Sequence, residues 1–244
     1  MAQESGLRIG SFAGAAIIIE PAFLLLAAYV VGSAFLRGGA EAMPTALIYV
    51  GVLFAAVLIH EIGHAGVAAA LNIPSKRIVL TFFGGYVQFA RPPEKLWHEI
   101  AVSAAGPGAN LATYLLLLSL QPILANTLSQ TPESFALLNA LAMLGFVSLI
   151  LGVFNLLPGF PLDGGHILRA ALTYVFPRPT ARMIAAVCGL LVAAAILVFA
   201  LTGAMIWTAF IALLLGLAAW AELRAARYDT AHPRPDTSDT TSNG

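Results

Sequence analysis

The chain has 244 residues, with 12 basic and 12 acidic side chains and so no net charge; 59% of it is hydrophobic and only 10% charged, against about 25% charged in ordinary soluble domains. Mean hydropathy is +0.88, which excludes a water-soluble globular domain and makes the lipid bilayer the solvent. No block of like charges is present to recruit nucleic acid or an acidic partner, and the single cysteine, Cys188, has no partner for an intrachain disulfide.

In chain order, residues 7 to 19 are rich in Gly and Ile and read as strands preceding Glu20-Pro21, which opens the first helix. The apolar run 22 to 36 followed by Ala40-Glu41-Ala42 imitates a signal peptide, but Arg8 is offset by Glu4 and Glu20, so a retained helix is expected. Spanning segments fall at 21–36, 45–71, 98–121, 135–157, 183–201 and 205–223. The apolar stretch 183–223 would be about 60 Å long as one helix, twice the hydrocarbon thickness, so it must turn, and Thr202-Gly203 is where it divides. Between the second and third spans, the runs 77–83 and 86–89 flank Gly84-Gly85 and read as a β-hairpin over 77–90 with the two glycines as its turn. From Tyr228 the chain is polar, carries Pro233 and Pro235, and reads as disordered.

The expected architecture is an all-α polytopic membrane protein: six transmembrane helices and a small membrane-associated β-hairpin or sheet in one domain, 1–227, followed by a tail, 228–244. Six spans place Arg8, Lys76, Arg77, Arg91, Lys95, Arg169, Arg178, Arg182, Arg224, Arg227 and Arg234 on one side and only Arg37 on the other. The excess of basic residues marks the cytoplasmic side. Both termini are therefore expected there, and the cytoplasmic membrane of a prokaryote is the simplest location.

The second span contains His60-Glu61-Ile62-Gly63-His64. Residues four apart on a helix lie one turn apart on one face, so His60 and His64 can reach one metal ion. Glu61 can contact water on that metal without being a ligand, as a general base must. Such a pattern arises by chance in solvated helices, but ionisable residues within an apolar span are costly and mark a site. Two histidines need a third ligand, and Asp163 is the best candidate, because Glu20, Glu99, Glu133 and Glu222 fall near span ends. Asp163 closes the run Asn155-Leu156-Leu157-Pro158-Gly159-Phe160-Pro161-Leu162-Asp163, whose prolines and glycines must break the helix; the alternative is a solvated turn. Asn155 either stabilises an oxyanion or substrate backbone or caps the broken helix. Asn110 is expected to bond between helices, His166 to act beside the site or at the interface, and His98 to anchor at the interface beside Trp97.

These residues resemble those of the site-2 protease family of intramembrane metalloproteases. His60-Glu61-Ile62-Gly63-His64 matches its first motif, Asn155 through Asp163-Gly164 its Asn-x-x-Pro-x-x-x-x-Asp-Gly pattern, and Gly106-Pro107-Gly108-Ala109-Asn110 the Gly-Pro-x-x-Asn element of its third span. The resemblance implies one Zn2+ held by His60, His64 and Asp163, Glu61 as catalytic base, and regulated cleavage of a membrane-spanning protein. These 244 residues leave room for neither an inserted PDZ domain nor a CBS pair, both frequent in the family, so substrate selection by such modules is not expected.

The expected function is hydrolysis of a peptide bond in or near a transmembrane segment, with the bilayer and a membrane protein as partners. Oligomeric state, substrate and trigger are not legible. A metal-ion transporter is one alternative, but it needs no base at position 61 and does need polar residues on several spans. A catalytically silent scaffold is the other.

Overall fold

The computed structural model describes residues 6–82, 84–128 and 131–232. Two compact units divide between Leu156 and Leu157, within the proline-rich and glycine-rich break, whereas the sequence reads as one domain over 1–227. Among the described residues, five helical stretches are long and apolar enough to cross a membrane: Pro21–Ala70, Leu96–Thr127, Pro132–Asn155, Arg178–Thr202 and Ile206–Ala231. A 3-10 turn at Gly39–Ala42 divides the first into α1 (Pro21–Gly38) and α2 (Met43–Ala70), so the six expected long helices are present.

The first unit begins with β1 (Leu7–Phe12) and β2 (Ala15–Ile19). They pair antiparallel around Ala13 and Gly14, both of which have positive φ. β3 (Ser75–Thr81) runs parallel to β2, and β4 (Gly84–Phe89) returns antiparallel to β3 as an outer strand. The hairpin is therefore part of a four-stranded sheet. Its glycines are not the turn: Thr81 pairs with Gly84 and Leu80 with Gly85, so both glycines are the first residues of β4. Alternation turns Ile17, Ile19, Ile78 and Leu80 to one face. There they pack with Val57, Leu58, Ile62 and Ala65 of α2, which fixes the sheet alongside the His60–His64 turn.

α2 ends where Asn72 takes a left-handed conformation and the Ile73 amide donates to the Ala68 carbonyl at 2.8 Å, a cap that satisfies the last carbonyls. α3 (Leu96–Thr127) and α4 (Pro132–Asn155) follow. Thr131 and Ser134 cap the start of α4 reciprocally, and Gly145, Ser148 and Gly152 form its buried face. Gly145 meets Tyr114 and Leu117 of α3, and Gly152 meets Pro107 and Leu111.

In the second unit a short helix that the sequence reading did not anticipate, α5 (Asp163–Leu172), precedes α6 (Arg178–Thr202) and α7 (Ile206–Ala231). The turn between α6 and α7 has Ala204 at positive φ and the Met205 amide donating to the Ala200 carbonyl, so the division at Thr202 stands. Ala181, Ala185, Gly189, Ala193 and Ala200 on α6 face Ala212, Ala219 and Ala226 on α7 as small buried residues, the composition that lets membrane helices approach closely. Gly159 lies backbone against backbone on Gly189, and Phe160 packs on Ala185, Ala186 and Leu223. The polar tail does not begin at Tyr228, because α7 continues to Ala231. Arg182 on α6 holds Asp229 at 2.9 Å and so ties that last turn down. The rest of the expected tail, from 233, lies outside the described residues.

Candidate metal centre

Three ionisable residues in the C-terminal half of α2 are buried: His60 at 6%, Glu61 at 4% and His64 at 9% exposure. The helix brings the two imidazole centroids to 4.8 Å at an interplanar angle of 82°. Neighbouring backbone is close because the neighbours lack side chains. Gly63 sits against the backbone of α3, where a Cβ would lie 2.9 Å from the Ala109 Cβ. Ala105 and Gly106 lie at the same crossing.

Gly106 shows where the rings point. A methyl group built on it would collide with His64 Nε2 and lie 2.8 Å from His60 Nε2, so the two Nε2 atoms converge on the space that this glycine leaves open. The opposite nitrogen of His64 lies 2.7 Å from the Val102 carbonyl. A carbonyl only accepts, so His64 Nδ1 carries the proton and Nε2 keeps its lone pair for a ligand. His60 Nδ1 lies 3.4 Å from Asn110 Nδ2, the interhelical contact expected of Asn110. Two converging imidazoles, one with its tautomer fixed, fit a borderline-soft divalent ion such as Zn2+.

Glu61 lies on the β4 side of α2. A Cβ on Gly85 would fall 2.6 Å from Glu61 Cγ and 2.7 Å from Oε1. The start of the outer strand thus lies directly against this carboxylate, which accounts for Gly85, whereas Gly84 takes a positive φ that favours glycine. Sequence reasoning missed Val102 and singled out Gly85 and Gly106 without their roles beside Glu61 and the histidines; the glycine pair at the head of a β-rich run was the available signal for the first.

Asp163 is the first residue of α5 and is half-buried. Asn155 ends α4, and its Nδ2 donates to the Leu151 carbonyl at 2.9 Å, a bond to its own helix. His166 stands edge-on to Phe160 at 4.8 Å, with the Arg169 guanidinium 5.7 Å from the same ring centroid. His98 packs against Trp97.

The model of peptidase family M50 matches residues 48–129 and 121–200. Among curated proteins, the chain is 32% identical over 174 residues to the Synechocystis sp. protein sll0528. It is 28% identical over 224 residues, 92% of this chain, to the zinc metalloprotease MJ0392 of Methanocaldococcus jannaschii. It spans 44% and 62% of the lengths of these two relatives. The solved structure of a site-2 protease from Methanocaldococcus jannaschii superposes with a TM-score of 0.66 at 26% identity, covering 90% of this chain and 95% of that one. The family match spans both histidine positions and the broken segment at Asp163, and the chain belongs to peptidase family M50.

Proposed function

We propose that this protein is an intramembrane zinc metalloprotease that hydrolyses a peptide bond in or near a transmembrane segment of a membrane protein. The observation that carries the reading is a buried carboxylate, Glu61, adjacent to two buried histidines whose Nε2 atoms converge, on a helix long and apolar enough to cross a membrane. His60 and His64 would supply nitrogen ligands and Asp163 an oxygen ligand, the donor set of many catalytic zinc sites. Support for Asp163 comes from the family match, from the motif that it closes and from the scarcity of other carboxylates away from span ends.

When bound, zinc acidifies water and polarises a peptide carbonyl. Glu61 takes the proton from the attacking water and returns it to the leaving amine. Its burial keeps it from being solvated elsewhere, and Gly85 leaves room for the carboxylate between strand and helix. A helical substrate hides its carbonyls in internal bonds and must be extended before attack. β4 is an outer strand, and its first residues adjoin Glu61, so substrate pairing along that edge would bring an extended chain to the base. Asn155 is the candidate for orienting the substrate backbone, although its Nδ2 bond to Leu151 equally suits a cap. Eleven of the twelve basic residues fall on one side of the six-span topology, which supports a cytoplasmic entrance and a prokaryotic cytoplasmic membrane.

The test is Glu61→Gln. It should keep its zinc and lose about 10²-fold or more of its cleavage rate, and membrane proteomics of cells carrying it should show a membrane protein that accumulates relative to wild type. A variant that binds zinc and leaves every membrane protein at its wild-type level would defeat the proposal.

A further inference from the structure

We infer that Asn110 is a positioning residue for the metal: its amide oxygen accepts from His60 Nδ1–H and thereby presents His60 Nε2 as a ligand. The inference rests on the ligand assignment proposed above.

Asn110 is completely buried, and as placed its Nδ2 faces His60 Nδ1 at 3.4 Å while its Oδ1 has no hydrogen-bond partner. In that arrangement Nδ1 must accept, so the ring proton sits on Nε2, the nitrogen that converges with His64 Nε2 above Gly106. A protonated Nε2 cannot bind a metal. Amide oxygen and nitrogen have almost the same shape, and their assignment follows the hydrogen-bond network. Turning the amide over gives Oδ1 a donor and frees the Nε2 lone pair.

The same helix treats the second histidine alike. The Val102 carbonyl accepts from His64 Nδ1 at 2.7 Å. Val102, Gly106 and Asn110 are spaced by four, one face of α3, so this face supplies an acceptor for each ring and the opening between their ligand atoms. Ligating histidines nearly always donate their other ring N–H in this way, and loss of the acceptor typically weakens metal affinity about 10–100-fold.

The experiment measures zinc affinity of the detergent-solubilised full chain by competition with a chromophoric chelator, and the visible bands of bound Co2+. Asn110→Leu should bind zinc about 10–100-fold more weakly than wild type. Asn110→Asp, which restores an acceptor, should recover wild-type affinity and shift the Co2+ bands, because a carboxylate makes His60 the stronger base. A merely structural role would leave those bands in place. Wild-type affinity in Asn110→Leu overturns the inference, as does Asn110→Asp binding no better than Asn110→Leu. Should Asn110→Leu not fold, unshifted Co2+ bands in Asn110→Asp overturn it alone. His60→Ala separates the two readings. Full zinc binding by that variant would defeat the ligand assignment itself, whereas zinc loss there beside undiminished binding in Asn110→Leu defeats only the role of Asn110.

Discussion

Gly85 and Glu61 occupy adjoining space: a methyl group on the glycine would stand 2.7 Å from the carboxylate oxygen. The strand and the proposed base are therefore coupled through the absence of a side chain, and one added carbon is enough to move Glu61. Gly85→Ala should lower kcat/KM about a hundredfold, the cost of shifting a reacting group by roughly an ångström, while zinc content stays at the wild-type level. Parallel assays of cleavage and metal content check this, and loss of zinc in the variant would mean that the strand supports the metal rather than the base.

Gly106 should behave in the opposite way. Its Cβ would intrude on the converging histidine nitrogens, and metal sites tolerate only about 0.5 Å of displacement. Gly106→Ala should therefore bind zinc more weakly than wild type, whereas Gly108→Ala, whose Cβ meets nothing within 4 Å, should bind zinc normally. Chelator competition on both variants decides the matter, and equal affinities would refute convergence at this point.

Zinc should also stabilise the fold if the proposed ligands His60, His64 and Asp163 hold it, because an ion bound only by the folded chain favours that state. At a free concentration one hundred times Kd, mass action contributes about 2.7 kcal/mol. Stripping the metal should lower the apparent unfolding midpoint in detergent, and His64→Ala should show no such dependence. A wild-type midpoint indifferent to zinc would speak against metal binding to the folded chain.

The end of α7 offers a fourth test. Arg182 pairs with Glu222 at 2.6 Å and Asp229 at 2.9 Å, but all three side chains are partly exposed, so the cluster contributes only about 0.2–1 kcal/mol per pair. Arg182→Met should lower the apparent midpoint slightly, and the difference should shrink as salt is raised. A loss independent of salt would point instead to packing of the arginine stem.

The sequence carries the site unevenly. His60, Glu61 and His64 are legible because their spacing is that of one helical face and their setting makes charge costly. The long helices are legible because length and apolar composition determine whether a segment can span. Gly85 was read as a turn because glycine announces conformational freedom and close approach with the same letter, and only the register Leu80↔Gly85 separates them. Val102 acts through its carbonyl, which every residue possesses, so nothing in its side chain could reveal the role. α5 went unseen because its 10 residues lie in a stretch read for its helix-breaking residues. At the chain end, polar composition from Tyr228 outweighed an ion pair to Arg182 that only tertiary structure supplies.

If substrate pairs on β4 as proposed, the strand that adjoins Glu61 would also act as a measuring device. Residues along a strand are about 3.3 Å apart and alternate in facing, so for an extended chain paired on β4 the distance from any paired residue to the cleaved bond is counted in whole residues. Slipping that pairing by one residue moves the neighbouring bond to the base and turns every side chain to the opposite face. Choice of bond would then reside in where pairing on β4 begins, with no pocket around the metal needed to read the residues on either side.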